Sequence, residues 1–405
     1  MPSGDTDCVF LAKAFSAAEP GRRGRLLPLI YIRLCCNIGN ARIVRVDWRK
    51  SMNNAVQAPS LYQSYQELFR IGTAVNPRQL ADPDYRALIR RHFNSMTAEN
   101  DMKPERLLDR TATLAKGDPV RAGLDFIRAD RMLAFAKDAG IAVRFHTLVW
   151  HNQTPRWFFA QDWSDAPDAP LVSADILQAR QQAYIRDVMT HVNACFPDVV
   201  YAWDVVNEAI EPDHGAQGFY RTRSLWYQIM GKEFVRTAFQ AARQHQMSGQ
   251  KLYYNDFNTF HPVKRDALTG LLEGLLREKL VDGMGMQAHL QLDRVDIAAC
   301  ETAARTFAGL GLSLQVTEMD IHCTGDDDAS QKELAMAYGT YFDMLLRLCR
   351  EGIPVESVTF WGVTDADSWL RGFRKENSWP LLFTGEMDIK PAFDTVRAAP
   401  EKWRG

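Results

Sequence analysis

The 405-residue chain carries almost no net charge: 48 Lys and Arg stand against 50 Asp and Glu, for a formal charge of −2. That balance gives no electrostatic footprint for nucleic acid or an anionic membrane, and no Lys/Arg stripe supplies a local one. A long apolar run is lacking as well. The stretch LLPLIYIRLCC at 26–36 follows three arginines, but Arg33 interrupts it and it is much too short to span a bilayer. It begins far from Met1 and has no small-x-small site after it, so it does not read as a secretory leader. The 7 cysteines form no CxxC pair and no Cys/His spacing, which argues against a disulfide framework and for reduced thiols in a cytoplasmic protein. No GxGxxG follows the first strand, which removes the dinucleotide-binding reading of an open doubly wound sheet.

What is present is ordinary globular composition, 46% hydrophobic and 24% charged, arranged in a regular alternation. Residues 1–58 fit neither helical nor strand periodicity and are expected to be a poorly ordered extension. From residue 59 to 405 one catalytic domain is expected. Its strands are read at 69–75, 95–100, 142–151, 200–208, 251–257, 283–290, 312–321 and 357–365. Amphipathic helices lie between them at 84–93, 129–140, 179–196, 225–245, 265–280, 297–311 and 332–352, several closed by glycine. Strand then helix, repeated around eight strands, predicts an α/β (β/α)8 TIM barrel.

Barrel active sites are built from the C-terminal strand ends. Those ends read Glu99 and Asn100, His146 and Trp150, Asn207 and Glu208, Tyr254 and Asn255, Gln287 and His289, Glu318 and Asp320, and Trp361. Fold stability does not call for such a ring of amides, imidazoles and carboxylates. Two glutamates close apolar strands, in WDVVNEA and LQVTEMDI. Strand spacing and tilt bring the Glu208 and Glu318 carboxyls to roughly 6 Å. Retaining glycosidases need about 5 to 5.5 Å and inverting ones about 6.5 to 9.5 Å, so the pair is within glycosidase reach without its stereochemistry being decided.

The co-linear segments TAENDMKPE, HTLVWHNQTPRW, WDVVNEA, YYNDFN, GMQAHL, TEMDI and WGVTDADSW resemble glycoside hydrolase family 10, the β-1,4-xylanases. The resemblance implies a retaining mechanism with Glu208 as general acid/base and Glu318 as nucleophile. It implies substrate-binding roles for Glu99, Asn100, Lys103, His146, Trp150, Asn207, Tyr254, Gln287, His289, Trp361 and Trp369. His289 is expected to bond Glu318, Asp320 to orient His289, and Trp203 to be an apolar neighbour of Glu208. No cofactor and no metal are implied. The partner is xylan or xylo-oligosaccharide, and the assembly a monomer or homodimer.

Three features depart from the family pattern: Pro104 follows Lys103 where Trp is common, Thr384 replaces an Asp, and RGFRKENSWP at 371–380 is a charged loop in which Trp379 or Arg371 is expected to close one end of the cleft. A metal-dependent barrel hydrolase or isomerase using His146, His151, His289, Glu99 and Asp320 is the first rival, and a related glycosidase acting on cellulose or mixed β-glucan is a closer one. Reading 142–151 as one strand puts His146 and His151 on opposite faces, which disfavours a shared ion. FRIGTAVNP and the charged loop resemble the intracellular branch of the family, so a cytoplasmic enzyme for short chains is expected, with a secreted xylanase as the alternative.

Overall fold

A computed structural model describes residues 54–211 and 219–403. Expectations for residues 1–53 fall outside that range. Eight parallel strands close into a ring: β1 Arg70–Val75, β2 Ser95–Ala98, β3 Ala142–Phe145, β4 Val200–Asn207, β5 Lys251–Asp256, β6 Gly283–Met286, β7 Ser313–His322 and β8 Val355–Phe360. Each pairs in parallel with the next, and β8 pairs with β1 through Arg70–Ser357 and Gly72–Thr359, so the sheet has no free edge. Outside it run α1 Pro83–His92, α2 Ile127–Ala139, α3 Ala174–Cys195, α4 Glu233–His245, α5 Pro262–Arg277, α6 Ile297–Gly309, α7 Asp328–Arg350 and α8 Pro391–Ala398. This is the (β/α)8 barrel expected from the alternating pattern. Among the described residues no helix is long and apolar enough to cross a membrane.

Local chemistry sets the boundaries. Asp82, Ser173, Asp296 and Asp327 each accept backbone N–H bonds at the start of α1, α3, α6 and α7. Gly140, with φ +66°, ends α2 in the left-handed region that a side chain disfavours. The stretch 225–245, read as one helix, is two: Leu225–Met230 stops at Gly231, whose φ of +59° and ψ of −149° break the spiral before α4 begins.

Two further boundaries differ from expectation. A helical turn at 54–57 packs onto the barrel, with Ala55 buried and its carbonyl 2.7 Å from His92 Nε2. The run 142–151 is not one strand either. β3 ends at Phe145, and Val149–Trp150 pairs separately with the end of β4.

The barrel interior explains the unusual GMGM of β6. A Cβ at Gly283 would stand 2.2 Å from the Tyr253 ring, and one at Gly285 2.4 Å from Asn255 Oδ1. The two glycines make room for Tyr253 and Asn255 to point inward from β5. By strand alternation Tyr254 points outward.

Candidate active site

Strand ends and two backbone irregularities aim the two glutamates. β7 slips register against β8 between Val316 and Met319, and the Glu318 N–H bonds the Gln287 carbonyl at 2.9 Å. Such a bulge re-aims a side chain at the rim. Glu208 follows β4 with φ +56°, a conformation that costs a residue bearing a Cβ about 1 to 3 kcal/mol unless the surroundings hold it. They do so on three sides. Its N–H bonds the Asn255 carbonyl at 2.9 Å, and its carbonyl accepts from Arg221 Nε at 3.1 Å. The next N–H, of Ala209, donates to the Tyr254 hydroxyl at 2.8 Å, and that hydroxyl donates to Asp256 at 2.7 Å. Lys264 pairs with the other oxygen of Asp256 at 2.6 Å.

The glutamates meet in a cleft of about 610 Å³, lined also by Glu99, Asn100, Lys103, His146, Trp150, Asn207, Gln287, His289, Trp361 and Trp369. Three N–H donors converge on the Glu208 carboxyl: Trp150 Nε1 at 3.0 Å, Gln287 Nε2 at 2.9 Å and Asn207 Nδ2 at 3.1 Å. Asn255 then links the two acids, its amide donating 2.8 Å bonds both to Asn207 Oδ1 and to Glu318 Oε1. Thr317 fixes that amide by donating to its oxygen at 2.7 Å.

Glu318 sits in a different field. His289 Nε2 lies 3.1 Å from its second oxygen, and His289 Nδ1 lies 3.0 Å from Asp320, which also accepts from Trp369 Nε1 at 2.8 Å. Burial alone would push the Glu318 carboxyl up, but the His289 hydrogen bond and the positive fields of His146, His289 and Arg144 outweigh it and bring its pKa down to about 2. Burial alone would likewise push His289 down. The charge and hydrogen bond of Asp320, then those of Glu318, outweigh that and raise it to about 10. At neutral pH Glu318 is an anion held between an imidazolium and an amide.

The opposite wall is also internally bonded. Lys103 donates to Asn100 at 3.1 Å and to Gln153 at 3.0 Å, with its ammonium 4.8 Å from the Trp150 ring centre. Burial lowers the Lys103 pKa against the opposing pull of Glu318, Glu99 and Glu208. Burial raises that of Glu99, against an Asn76 amide bond. His146 Nδ1 is 2.8 Å from Asp204, which is ion-paired with buried Arg144. These pairings bear on the metal reading. His289 has both ring nitrogens on carboxylates, and among the described residues no group of three His, Cys, Asp or Glu side chains could hold an ion.

Residues 60–399 match the description of glycosyl hydrolase family 10. The chain belongs to that family. It is 40% identical over 346 residues to endo-1,4-beta-xylanase B of Butyrivibrio fibrisolvens, covering 84% of this chain and 53% of that protein. The chain thus spans about half the length of that curated relative. Among solved structures, a Clostridium thermocellum xylanase fragment complexed with xylohexaose superposes with a TM-score of 0.78 at 31% identity, covering 86% of this chain and 69% of that one. An intracellular xylanase from Thermoanaerobacterium saccharolyticum gives a TM-score of 0.73 at 32% identity, covering 84% and 98%.

Within this family 10 barrel, most rim residues read from the sequence line the cleft, and three expectations need correction. Tyr254 is fully buried on the outer face of β5 and is no cleft residue. It holds the backbone behind Glu208, while inward-facing Asn255 touches both catalytic candidates. Trp203 is not a cleft neighbour of Glu208 but part of the core, with its indole N–H on Gln250 and its ring against Phe145. From the charged loop, Phe373 and Arg374 line the cleft with Leu370, whereas Arg371 donates to the Ser378 carbonyl and lies over Trp379. Asp320 lies behind His289 rather than on the cleft surface. Gln153, Phe257, Asn258 and Gln291 also line the cleft and were not singled out in the sequence. Gln153, Phe257 and Asn258 sit in loops, where no periodicity marks a face, and Gln291 ends a short strand, His289–Gln291, that pairs with the end of β7.

Proposed function

We propose that this chain is an endo-β-1,4-xylanase that cleaves xylan or xylo-oligosaccharides by retaining double displacement. The observation that carries the reading is the unequal setting of the two glutamates. Glu318 is a fixed anion against protonated His289, whereas Glu208 meets neutral donors and faces the open cleft. Two carboxyl groups with divergent environments are the acid–nucleophile arrangement of retaining glycosidases.

In the first step a Glu318 oxygen attacks the anomeric carbon. The glycosidic C–O bond breaks and its electron pair leaves on the aglycone oxygen, which takes the proton of Glu208. A glycosyl ester on Glu318 results. In the second step Glu208 removes a proton from water, whose oxygen attacks the same carbon and expels Glu318. The donors around Glu208 suit its base form, so in the acid form one of those contacts gives way to the glycosidic oxygen. Asn207 is assigned the sugar 2-hydroxyl, and Trp150, Trp361 and Trp369 the apolar sugar faces. The similarity to xylanases, one of them solved with xylohexaose, supports xylose as the sugar.

Similarity to an intracellular xylanase further supports a cytoplasmic enzyme that acts on short soluble chains. Higher kcat/KM on xylohexaose than on insoluble xylan is expected, and the reverse order defeats that part. The mechanism is tested by NMR of the anomer first released from xylohexaose: β supports retention and α refutes it. Glu318→Ala is expected to lose essentially all turnover and to regain some with azide, giving an α-xylosyl azide. Near-normal activity of that variant would overturn the assignment.

A further inference from the structure

Away from the cleft, a cluster of reactive side chains joins two of the outer helices. Cys195 is the last residue of α3 and is exposed. Its Sγ lies 4.0 Å from Nδ1 of His191, one helical turn earlier, and His191 Nε2 lies 2.9 Å from the Asp130 carboxylate on α2. The Phe126 ring, at the start of α2, stacks on the imidazole with ring centres 3.7 Å apart and planes within 10° of parallel. None of these residues lines the cleft. α3 ends just before β4 begins at Val200, and the cleft is built at the other end of that strand.

The order of the three groups decides what each ring nitrogen does. A carboxylate only accepts, so in the neutral ring Nε2 carries the proton and Nδ1 turns its lone pair to the thiol. Phe126 holds the ring plane and keeps that lone pair aimed at Sγ. A nucleophile, a base within hydrogen-bond reach and a third group that orients the base together activate a thiol. The other described cysteines lack this setting. Burial pushes Cys300 up to about 12 and Cys349 up to about 11, and buried Cys323 donates its S–H to the Gly325 carbonyl. The cluster does not suit a metal ion, since Sγ and Nδ1 face each other while Asp130 takes the far nitrogen.

We propose that Cys195 is a thiol–disulfide exchange site, with His191 as its base, Asp130 positioning that base, and a low-molecular-weight disulfide as co-reactant. Cys195 Sγ attacks one sulfur of the disulfide while its proton passes to His191 Nδ1. A new S–S bond to Cys195 forms, and the bond within the small disulfide breaks with its electron pair on the departing sulfur. His191 returns the proton to that sulfur. The products are a mixed disulfide on Cys195 and one small thiol, so the cysteine is oxidised and half of the co-reactant is reduced. Exchange suits this cluster because a proton must leave the attacking sulfur and reach the departing one, and one imidazole serves both transfers. The modified sulfur stands at the barrel end opposite Glu208 and Glu318, so sugar hydrolysis continues beside it.

The test incubates the protein with hydroxyethyl disulfide at neutral pH and follows the mixed disulfide on the peptide that carries Cys195 by mass spectrometry. Wild type, His191→Gln and Asp130→Asn are compared, each folded and in urea. In the folded wild type Cys195 should be modified before Cys300, Cys323 and Cys349. His191→Gln should slow the reaction roughly ten-fold, within the room left by a thiol that is only a few per cent ionised at neutral pH. Asp130→Asn should slow it in the same direction, because an amide can donate to Nε2 and move the ring proton to Nδ1. In urea all three proteins should react at one rate, slower than the folded wild type. The comparison of folded with unfolded wild type needs no variant, so a variant that fails to fold leaves the test standing. Folded wild type reacting at Cys195 no faster than in urea overturns the proposal, and so does folded His191→Gln reacting at the wild-type rate.

Discussion

Replacing His289 by Asn should move the acid limb of the pH–rate profile upward. The wild-type Glu318 pKa, about 2 against an ordinary 4.5, puts the acid limb that Glu318 sets on an aryl β-xyloside at or below the foot of the assayed pH range. His289 opposes burial with a charged hydrogen bond at 3.1 Å. A bond to a charged group contributes about 1.5 to 3 kcal/mol, which equals roughly one to two pKa units. Removing it leaves burial to act on the carboxyl, and the neutral Asn amide does not restore the charge. The measurement is kcat/KM from pH 3 to 8 on an aryl β-xyloside, whose good leaving group removes the need for the Glu208 proton and isolates the nucleophile. The acid limb of His289→Asn should lie at least about one pH unit above that of the wild type. Coincident limbs with only a lower plateau would refute the reasoning and reduce His289 to a shape-giving residue. The sign carries over to stability. Glu318, depressed to about 2, contributes stability that is complete above 4.5 and is lost as pH falls toward 2. His289, raised to about 10, contributes below 6.5 and loses its contribution as pH rises toward 10.

Glu208→Ala should spare the first step on aryl xylosides with good leaving groups while crippling xylo-oligosaccharide hydrolysis, and equal losses on both would count against its acid/base role. Tyr254→Phe removes the hydroxyl that holds the Ala209 N–H and leaves Asp256 without one donor. It should cost about 1 to 3 kcal/mol in urea unfolding and lower kcat more on xylo-oligosaccharides than on an activated aryl xyloside. A uniform loss on both substrates would mean that Tyr254 supports the fold without positioning Glu208.

The barrel was legible because its signal is periodic and long: apolar strands and amphipathic helices repeat, and strand ends in such a barrel face one cleft. The two glutamates were legible for the same reason, since a carboxylate closing an apolar strand has no structural motive. Errors began where alternation had to be counted across an irregularity. In YYNDF one residue of register separates Tyr254 from Asn255, and only the glycines of β6, which open space for Tyr253 and Asn255, decide which face is inward. Those glycines were visible in GMGM, so the signal existed, but its use requires knowing that β5 and β6 are neighbours with Tyr253 opposite Gly283. The bulge at Thr317–Glu318 and the left-handed Glu208 leave no comparable mark, because each is imposed by contacts from other strands. Gln153 shows the limit most clearly. It bonds Lys103, 50 positions away, from a loop with φ +46°, and neither spacing nor propensity links the two. Local rules fix which strands form and where they end. The polar couplings between strand ends, on which the chemistry depends, are tertiary facts.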